Sequence, residues 1–153
     1  MFFISGLKIV AGIRVKQPSF YYTEEPYYGS RALNFIKTGR INLKYLTGIL
    51  NSKISYFWLK NKGKQLGDLL QIDKGPLLEI PIYVGDKKQQ EPIVILVEKI
   101  TNFNKELNKI EEHSEKWNSI KSEIEKTDKK IDEEVYKLYG LTQEEIKIIE
   151  EQK

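Results

Sequence analysis

Asn42-Leu43-Lys44-Tyr45-Leu46-Thr47-Gly48-Ile49-Leu50-Asn51-Ser52-Lys53 is the run on which the architecture turns. With Ile54, Phe57 and Trp58 beyond it, Leu46, Ile49 and Leu50 recur at steps of three and four, the period of an amphipathic helix. Asn42 suits the cap position, because its side-chain oxygen takes an N–H that the first turn leaves without a partner. Lys60-Asn61-Lys62-Gly63-Lys64 ends the pattern with cations and a glycine, which suits the negative end of a helix dipole. One helix of about four to five turns is therefore predicted over residues 43–60.

On the N-terminal side the signals change. Residues 7–16, Leu-Lys-Ile-Val-Ala-Gly-Ile-Arg-Val-Lys, are short and β-branched and predict a strand, with Gly12 as a bulge. Residues 17–30 carry Pro18, Pro26 and Gly29 and predict a loop or hairpin. Residues 31–37 predict a second strand, and Thr38-Gly39-Arg40 a turn. On the C-terminal side, residues 69–72 predict a short strand, residues 74–76 a turn and residues 85–90 a polar loop. Pro92 then stands where a first helical turn accepts proline. From Leu96 through Ile100, Phe103, Leu107, Ile110, Trp117 and Ile120 to Ile124, apolar residues repeat with a period near 3.5. That covers about four to five heptads, interrupted at His113-Ser114. Thr127-Asp128 marks a candidate break. Ile131, Val135 and Leu138 continue a helix to Tyr139, Gly140 fits its C-terminal end, and Thr142 with Glu145 forms a capping box for a last short helix. The stripe has two readings: a dimerising coiled coil, or packing against the helix at 131–139 and the rest of the chain. The fold expected is α+β: a small twisted sheet with a packed helix over residues 1–90, and a long helical arm or hairpin over 91–153.

The chain of 153 residues carries a net charge of +3, unevenly spread. Residues 1–90 hold 14 Lys/Arg against 6 Asp/Glu, a net +8, and residues 91–153 hold 11 Lys against 16 Asp/Glu, a net −5. Twelve of the 17 aromatic residues precede residue 61. A basic, aromatic-rich half suits a polyanion, and an acidic, periodic half suits a helical frame. Absence of cysteine excludes a disulfide scaffold, a thiolate metal site and a cysteine nucleophile, and the single histidine excludes a multi-histidine metal site. No apolar run is long enough to span a membrane, and Met1-Phe2-Phe3-Ile4 lacks the features of a signal peptide, so a cytoplasmic chain is expected.

Catalytic patterns are missing. There is no dinucleotide or phosphate-binding glycine motif, no HExxH and no GxSxG. The cofactor glycine motif and the Asn/Asp-Pro-Pro-Tyr/Phe tetrad of an adenine methyltransferase are also absent. Glu98-Lys99 is the nearest echo of a nuclease site, but its partner acid is missing, and it reads as a solvated pair. His113 reads as an ordinary polar residue among Glu111, Glu112 and Glu115 rather than as a general base. No catalytic residue and no metal ligand is assigned.

What remains is a set of candidate nucleic-acid contacts. Tyr21, Tyr22, Tyr27 and Tyr28 offer flat faces and hydroxyls, with at least one ring of each pair expected in the core. Arg14, Arg31 and Arg40 are the only arginines and all fall within the first 40 residues. Arg is the most effective bidentate reader of guanine, which makes these three more informative than any of the 22 lysines. Lys16, Lys60, Lys62 and Lys64 complete the set as phosphate contacts.

Four ordered segments carry a family resemblance. Residues 43–53, quoted above, come first. Leu70-Gln71-Ile72 with Leu77-Leu78-Glu79-Ile80-Pro81-Ile82 follows. Third is the helix from Ile93 to Ile100. Last is the tail Ile131-Asp132-Glu133-Glu134-Val135-Tyr136-Lys137-Leu138-Tyr139-Gly140-Leu141-Thr142-Gln143-Glu144-Glu145-Ile146. Together they resemble the TaqI-like C-terminal specificity domain of Eco57I-type restriction–modification proteins, and the tail is the most distinctive piece. The resemblance implies a target-recognition module that reads double-stranded DNA for an adenine-N6 methyltransferase, often fused to an endonuclease. It implies no cofactor in this piece. S-adenosylmethionine, and Mg2+ where a nuclease is fused, would belong to the parent protein. Two other readings stand beside it: half of a type I-like specificity subunit, and a helical dimerisation module without DNA binding.

Overall fold

The computed structural model describes residues 2–151, with the backbone alone for Phe2. Met1, Gln152 and Lys153, at the outer ends of the two expected units, lie outside the described residues. The architecture is α+β, with small antiparallel sheets in the first half and long helices in the second.

Strand β2 (Lys8–Gly12) is the centre of a three-stranded sheet, between β4 (Phe20–Thr23) and β6 (Leu33–Ile36). Ile9 faces Tyr22 and Ile36 in register, and Val10 faces Tyr21 and Phe35. Strands β1 (Phe2–Ile4) and β5 (Tyr27–Gly29) form a separate ribbon. The proline-punctuated segment 17–30 is therefore half strand, with a short turn between β4 and β5. The strand expected over residues 7–16 divides after Gly12. A Cβ on Gly12 would stand 2.7 Å from Val15 Cγ1, so a larger residue at the bend would have to displace Val15. Past the bend, β3 (Arg14–Val15) joins β8 (Leu69–Gln71) and β7 (Lys64–Leu66) in a second three-stranded sheet. Ile13 links the two sheets: its N–H donates to Ala32 O at 2.9 Å, and its carbonyl accepts from Ile72 N at 2.7 Å.

The central helix is two helices. Asn42 caps α1 (Leu43–Asn51) as expected, with its Oδ1 accepting from Lys44 N and Tyr45 N. The chain then breaks at Ser52 and restarts as α2 (Lys53–Lys62). Ser52 adopts an extended conformation, accepts from Ser55 N and donates its hydroxyl to Ile49 O at 2.6 Å. Asn51 is drawn toward the sheet, where its amide both accepts from Phe20 N and donates to Phe20 O, each at 2.8 Å. α1 is buried on two sides. Leu43, Leu46 and Leu50 face Ile9, Ala11, Phe20, Leu59, Leu70 and Ile72. Tyr45 and Ile49 face Ile93, Val97, Ile131 and Val135.

A short helix α3 (Lys74–Leu78) leads to α4 (Lys87–Leu107), which starts five residues before Pro92 behind an Asp86–Gln89 capping box. The apolar stripe from Leu96 to Ile124 is not one helix. α4 ends at Leu107, the chain reverses over residues 108–114, and α5 (Glu115–Leu138) returns antiparallel along α4. His113 takes a left-handed conformation (φ 64°) and Ser114 caps α5, so the interruption in the stripe is the reversal itself. Thr127-Asp128 breaks nothing: Thr127 is buried and donates to Glu123 O within an unbroken helix. Gly140 (φ 62°) ends α5 where expected, and Thr142 and Glu145 cap α6 (Gln143–Glu150) reciprocally. Among the described residues no helix is long and apolar enough to cross a membrane.

Candidate nucleic-acid interface

The hairpin Lys64-Gln65-Leu66-Gly67-Asp68-Leu69-Leu70-Gln71 turns on Gly67 (φ 65°), a conformation glycine adopts without strain. Pairing with β3 then places Arg14, Gln71 and Lys64 in one row across three strands, because Gln71 is the register partner of both cations. Directly paired residues in an antiparallel sheet share a face. The next row, Val15, Leu70 and Gln65, faces the other way, and Leu70 there is buried in the core. Arg14, Lys64 and Gln71 therefore stand on the side away from the core. Lys16 follows on the same face as Arg14 and reaches Asp68 at 3.7 Å, both side chains being mostly exposed, so the pair holds little energy.

Arg31 joins this end of the molecule. It precedes Ala32, whose carbonyl holds Ile13, the residue before Arg14. Lys60 and Lys62 close α2 just before Lys64, with Lys60 Nζ 5.9 Å from the Tyr56 ring centre and Lys62 Nζ 5.5 Å from that of Trp58. Arg40 is not part of the group. It lies past the far end of β6 from Arg31, beside the start of α1, and is exposed. Among the described residues Arg14, Arg31, Arg40, Lys60, Lys62 and Lys64 have no carboxylate within 4.0 Å; some lysines elsewhere are paired, among them Lys44 with Glu98, Lys53 with Glu150, Lys116 with Glu106 and Lys126 with Glu123, and others, such as Lys74, Lys99 and Lys121, are not. Five of these six cations, Arg14, Arg31, Lys60, Lys62 and Lys64, lie on the β3-β8-β7 face and the turns beside it.

The tyrosines divide. Tyr28 is 68% exposed and meets Phe3, 57% exposed, edge to face at 5.6 Å on the β1–β5 ribbon. Tyr27 is half-buried against Phe35, with ring centres 6.2 Å apart. Tyr21 is 50% exposed on the outer face of β4, and Tyr22 points to the opposite face. The inner ring of each pair is thus half-buried rather than in the core. Tyr22 borders a crevice of about 480 Å3 between β4 and α4, together with Glu24, Glu25, Lys44 and Glu98. Its hydroxyl donates to Glu24 at 3.1 Å, and burial with that carboxylate raises its pKa. Carboxylates outnumber ammonium groups around this crevice, so it does not suit a polyanion.

Several residues of the quoted segments hold the molecule together instead of facing solvent. Asp132 accepts from Lys53 N at 2.8 Å and so caps α2 from α5. Tyr139 donates to Pro81 O at 2.7 Å and accepts from Tyr83 N, while Tyr45 donates to Tyr83 O. Burial pushes the Tyr45 hydroxyl up to about 12. Residues 81–83 are thereby clamped between α1 and α5. Lys8, which the charge count does not single out, is fully buried and donates to the carbonyls of Gly6 and Glu25. Gln71 is a solvent-side residue that periodicity alone does not reveal; the Gly67-Asp68 pair between two apolar residues is the signal for its hairpin. Among the described residues no three His, Asp or Glu side chains gather as a metal site.

A family model described as the TaqI-like C-terminal specificity domain matches residues 3–82, from β1 to the clamped segment, and includes every cation of the group above. No curated protein matches the chain.

Proposed function

We propose that this chain, which belongs to the TaqI-like C-terminal specificity domain family, is the DNA-reading module of a restriction–modification enzyme. The finer reading is an Eco57I-type, type IIG-like enzyme. Residues 1–90 read the duplex and residues 91–153 form the helical arm that steadies them. Methyl transfer, any strand cleavage, and the S-adenosylmethionine or Mg2+ they require belong to the methyltransferase and nuclease domains of such an enzyme, not to this chain. The apolar stripe of α4 is covered by α5 of the same chain, which favours an internal frame over self-association.

The observation that carries this reading is the set of unpaired cations on the β3-β8-β7 face and its adjoining turns, all within the family-matched residues. Phosphate contacts release counterions, at about 0.9 in the log–log salt slope per phosphate for duplex DNA. Four or five such contacts give a slope near −4, so affinity for a labelled duplex falls by a few hundredfold between roughly 50 and 200 mM salt. Fluorescence anisotropy measures this directly. No duplex binding at the low-salt end, or binding indifferent to salt, would refute the reading.

The two kinds of cation should behave differently. Arg31→Ala is expected to relax site choice in a selection from a randomised duplex library. Lys62→Ala is expected to weaken all sequences alike and reduce the salt slope by about one. If both variants lose affinity evenly across the library, Arg31 is a phosphate contact and not a reader.

A further inference from the structure

Gln71 occupies the middle of the Arg14–Gln71–Lys64 row and is the only one of the three that is half-buried. Its amide is oriented by one hydrogen bond to a neighbouring carboxylate. Nε2 donates to Asp73 Oδ1 at 2.8 Å, which leaves Oε1 and the second N–H hydrogen directed elsewhere. Among the described residues Oε1 has no hydrogen-bond partner. Asp73 stands at the cap position of α3, yet its side chain makes no bond to that helix. Its carboxylate is used on Gln71 instead, so the amide cannot flip without losing that bond.

We propose that Gln71 reads an adenine edge in the DNA major groove, held in its reading orientation by Asp73 and flanked by Arg14 and Lys64 as clamps on the two phosphate walls. This rests on the DNA-reading function above. The atoms match: Oε1 accepts from adenine N6–H, and the free Nε2–H donates to N7, the two-point contact by which glutamine distinguishes adenine. The dimensions match as well. Strands lie about 4.8 Å apart, so Arg14 and Lys64 are separated by roughly 10 Å across the sheet. The major groove is about 12 Å wide. A short amide over the floor with a long cation on each side follows the groove's own profile of base edges between phosphates. Asp73 is a positioning residue and does not touch DNA.

The test uses the full chain and selection from a randomised duplex library, followed by anisotropy on the selected site and on single-base-pair variants. Gln71→Ala is expected to lose discrimination at one A·T pair by about ten- to a hundredfold, with its thermal midpoint and salt slope unchanged. Asp73→Ala should degrade discrimination at the same pair by freeing the amide to flip, without reducing affinity for unrelated sequences. Lys64→Ala should leave the selected sequence intact and lower affinity throughout. A Gln71→Ala chain that selects the wild-type sequence overturns the assignment of Gln71 while leaving the DNA-reading function standing. A wild-type chain that selects no sequence, or binds no duplex, overturns both. Loss of discrimination in Gln71→Ala but none in Asp73→Ala overturns the positioning role.

Discussion

Alanine at position 48 is expected to destabilise the protein by about 1–3 kcal/mol, read as a lower urea midpoint. The direction is opposite to helix propensity, which favours alanine over glycine by about 1 kcal/mol in a helix interior. Gly48 faces α4 with no room for a side chain. A Cβ there would stand 2.4 Å from Ile93 Cγ2 and 3.1 Å from Val97 Cγ2. Ile93 is fully buried among Tyr45, Ile49, Ile131 and Val135, so it has nowhere to retreat. A reference variant separates steric conflict from any other cause. Once Ile93→Ala has opened the space, Gly48→Ala should become neutral or stabilising by up to about 1 kcal/mol. If Gly48→Ala is harmless with Ile93 in place, α1 and α4 do not meet as described.

The second large effect is electrostatic. Burial pushes the Asp132 carboxyl from its ordinary 3.8 up to about 6, with Asp128 and Glu150 adding to the shift and Lys53, through its backbone N–H and its ammonium, opposing it. The folded state therefore holds a proton that the unfolded chain releases between these values. Stability from this group is fully present below about pH 4, declines as pH rises toward 6, and is absent above. Two pKa units correspond to about 3 kcal/mol at most. Asp132→Asn retains an acceptor for Lys53 N and removes the titration. The difference in unfolding free energy between wild type and Asp132→Asn should thus shift in favour of the variant by up to about 3 kcal/mol between pH 4 and 7.5. A difference that stays constant over that range would show that Asp132 does not titrate in it.

Cap signals survived translation into structure, whereas Pro92 as a first-turn residue and Thr127-Asp128 as a break did not. Asn42, Gly140 and the Thr142–Glu145 box each act within one helical turn, and each stands where the sequence puts it. The break at Ser52 combines a local cap by Ser52 with distant bonds from Asn51 to Phe20, 31 residues away, and from Lys53 N to Asp132, which no local pattern contains. The stripe from Leu96 to Ile124 looks the same whether it lines one long helix or the facing sides of two, because each of two antiparallel partners needs the same spacing. The reversal over residues 108–114 separates the alternatives, with His113 left-handed and Ser114 capping α5, and no residue type forces the His113 conformation. For the candidate interface, the arginines were legible as unusual residues, but their grouping was not. The register of β3 on β8 brings Arg14 beside Gln71 and Lys64, whereas the length of β6 carries Arg40 away from Arg31. The tail residues Asp132, Tyr136 and Tyr139, which lie beyond the family-matched residues 3–82, have structural roles: they tie α5 to α2, to α6 and to the segment at 81–83.

The Asn51–Phe20 exchange has one more result. β4 is the outermost strand of its sheet, and an outermost strand offers its bare amides to any neighbouring molecule. Here a carboxamide from the same chain occupies that margin at Phe20, imitating the peptide group of a strand that does not exist. The sheet is plugged from within, and growth of intermolecular ribbons finds no foothold at that residue.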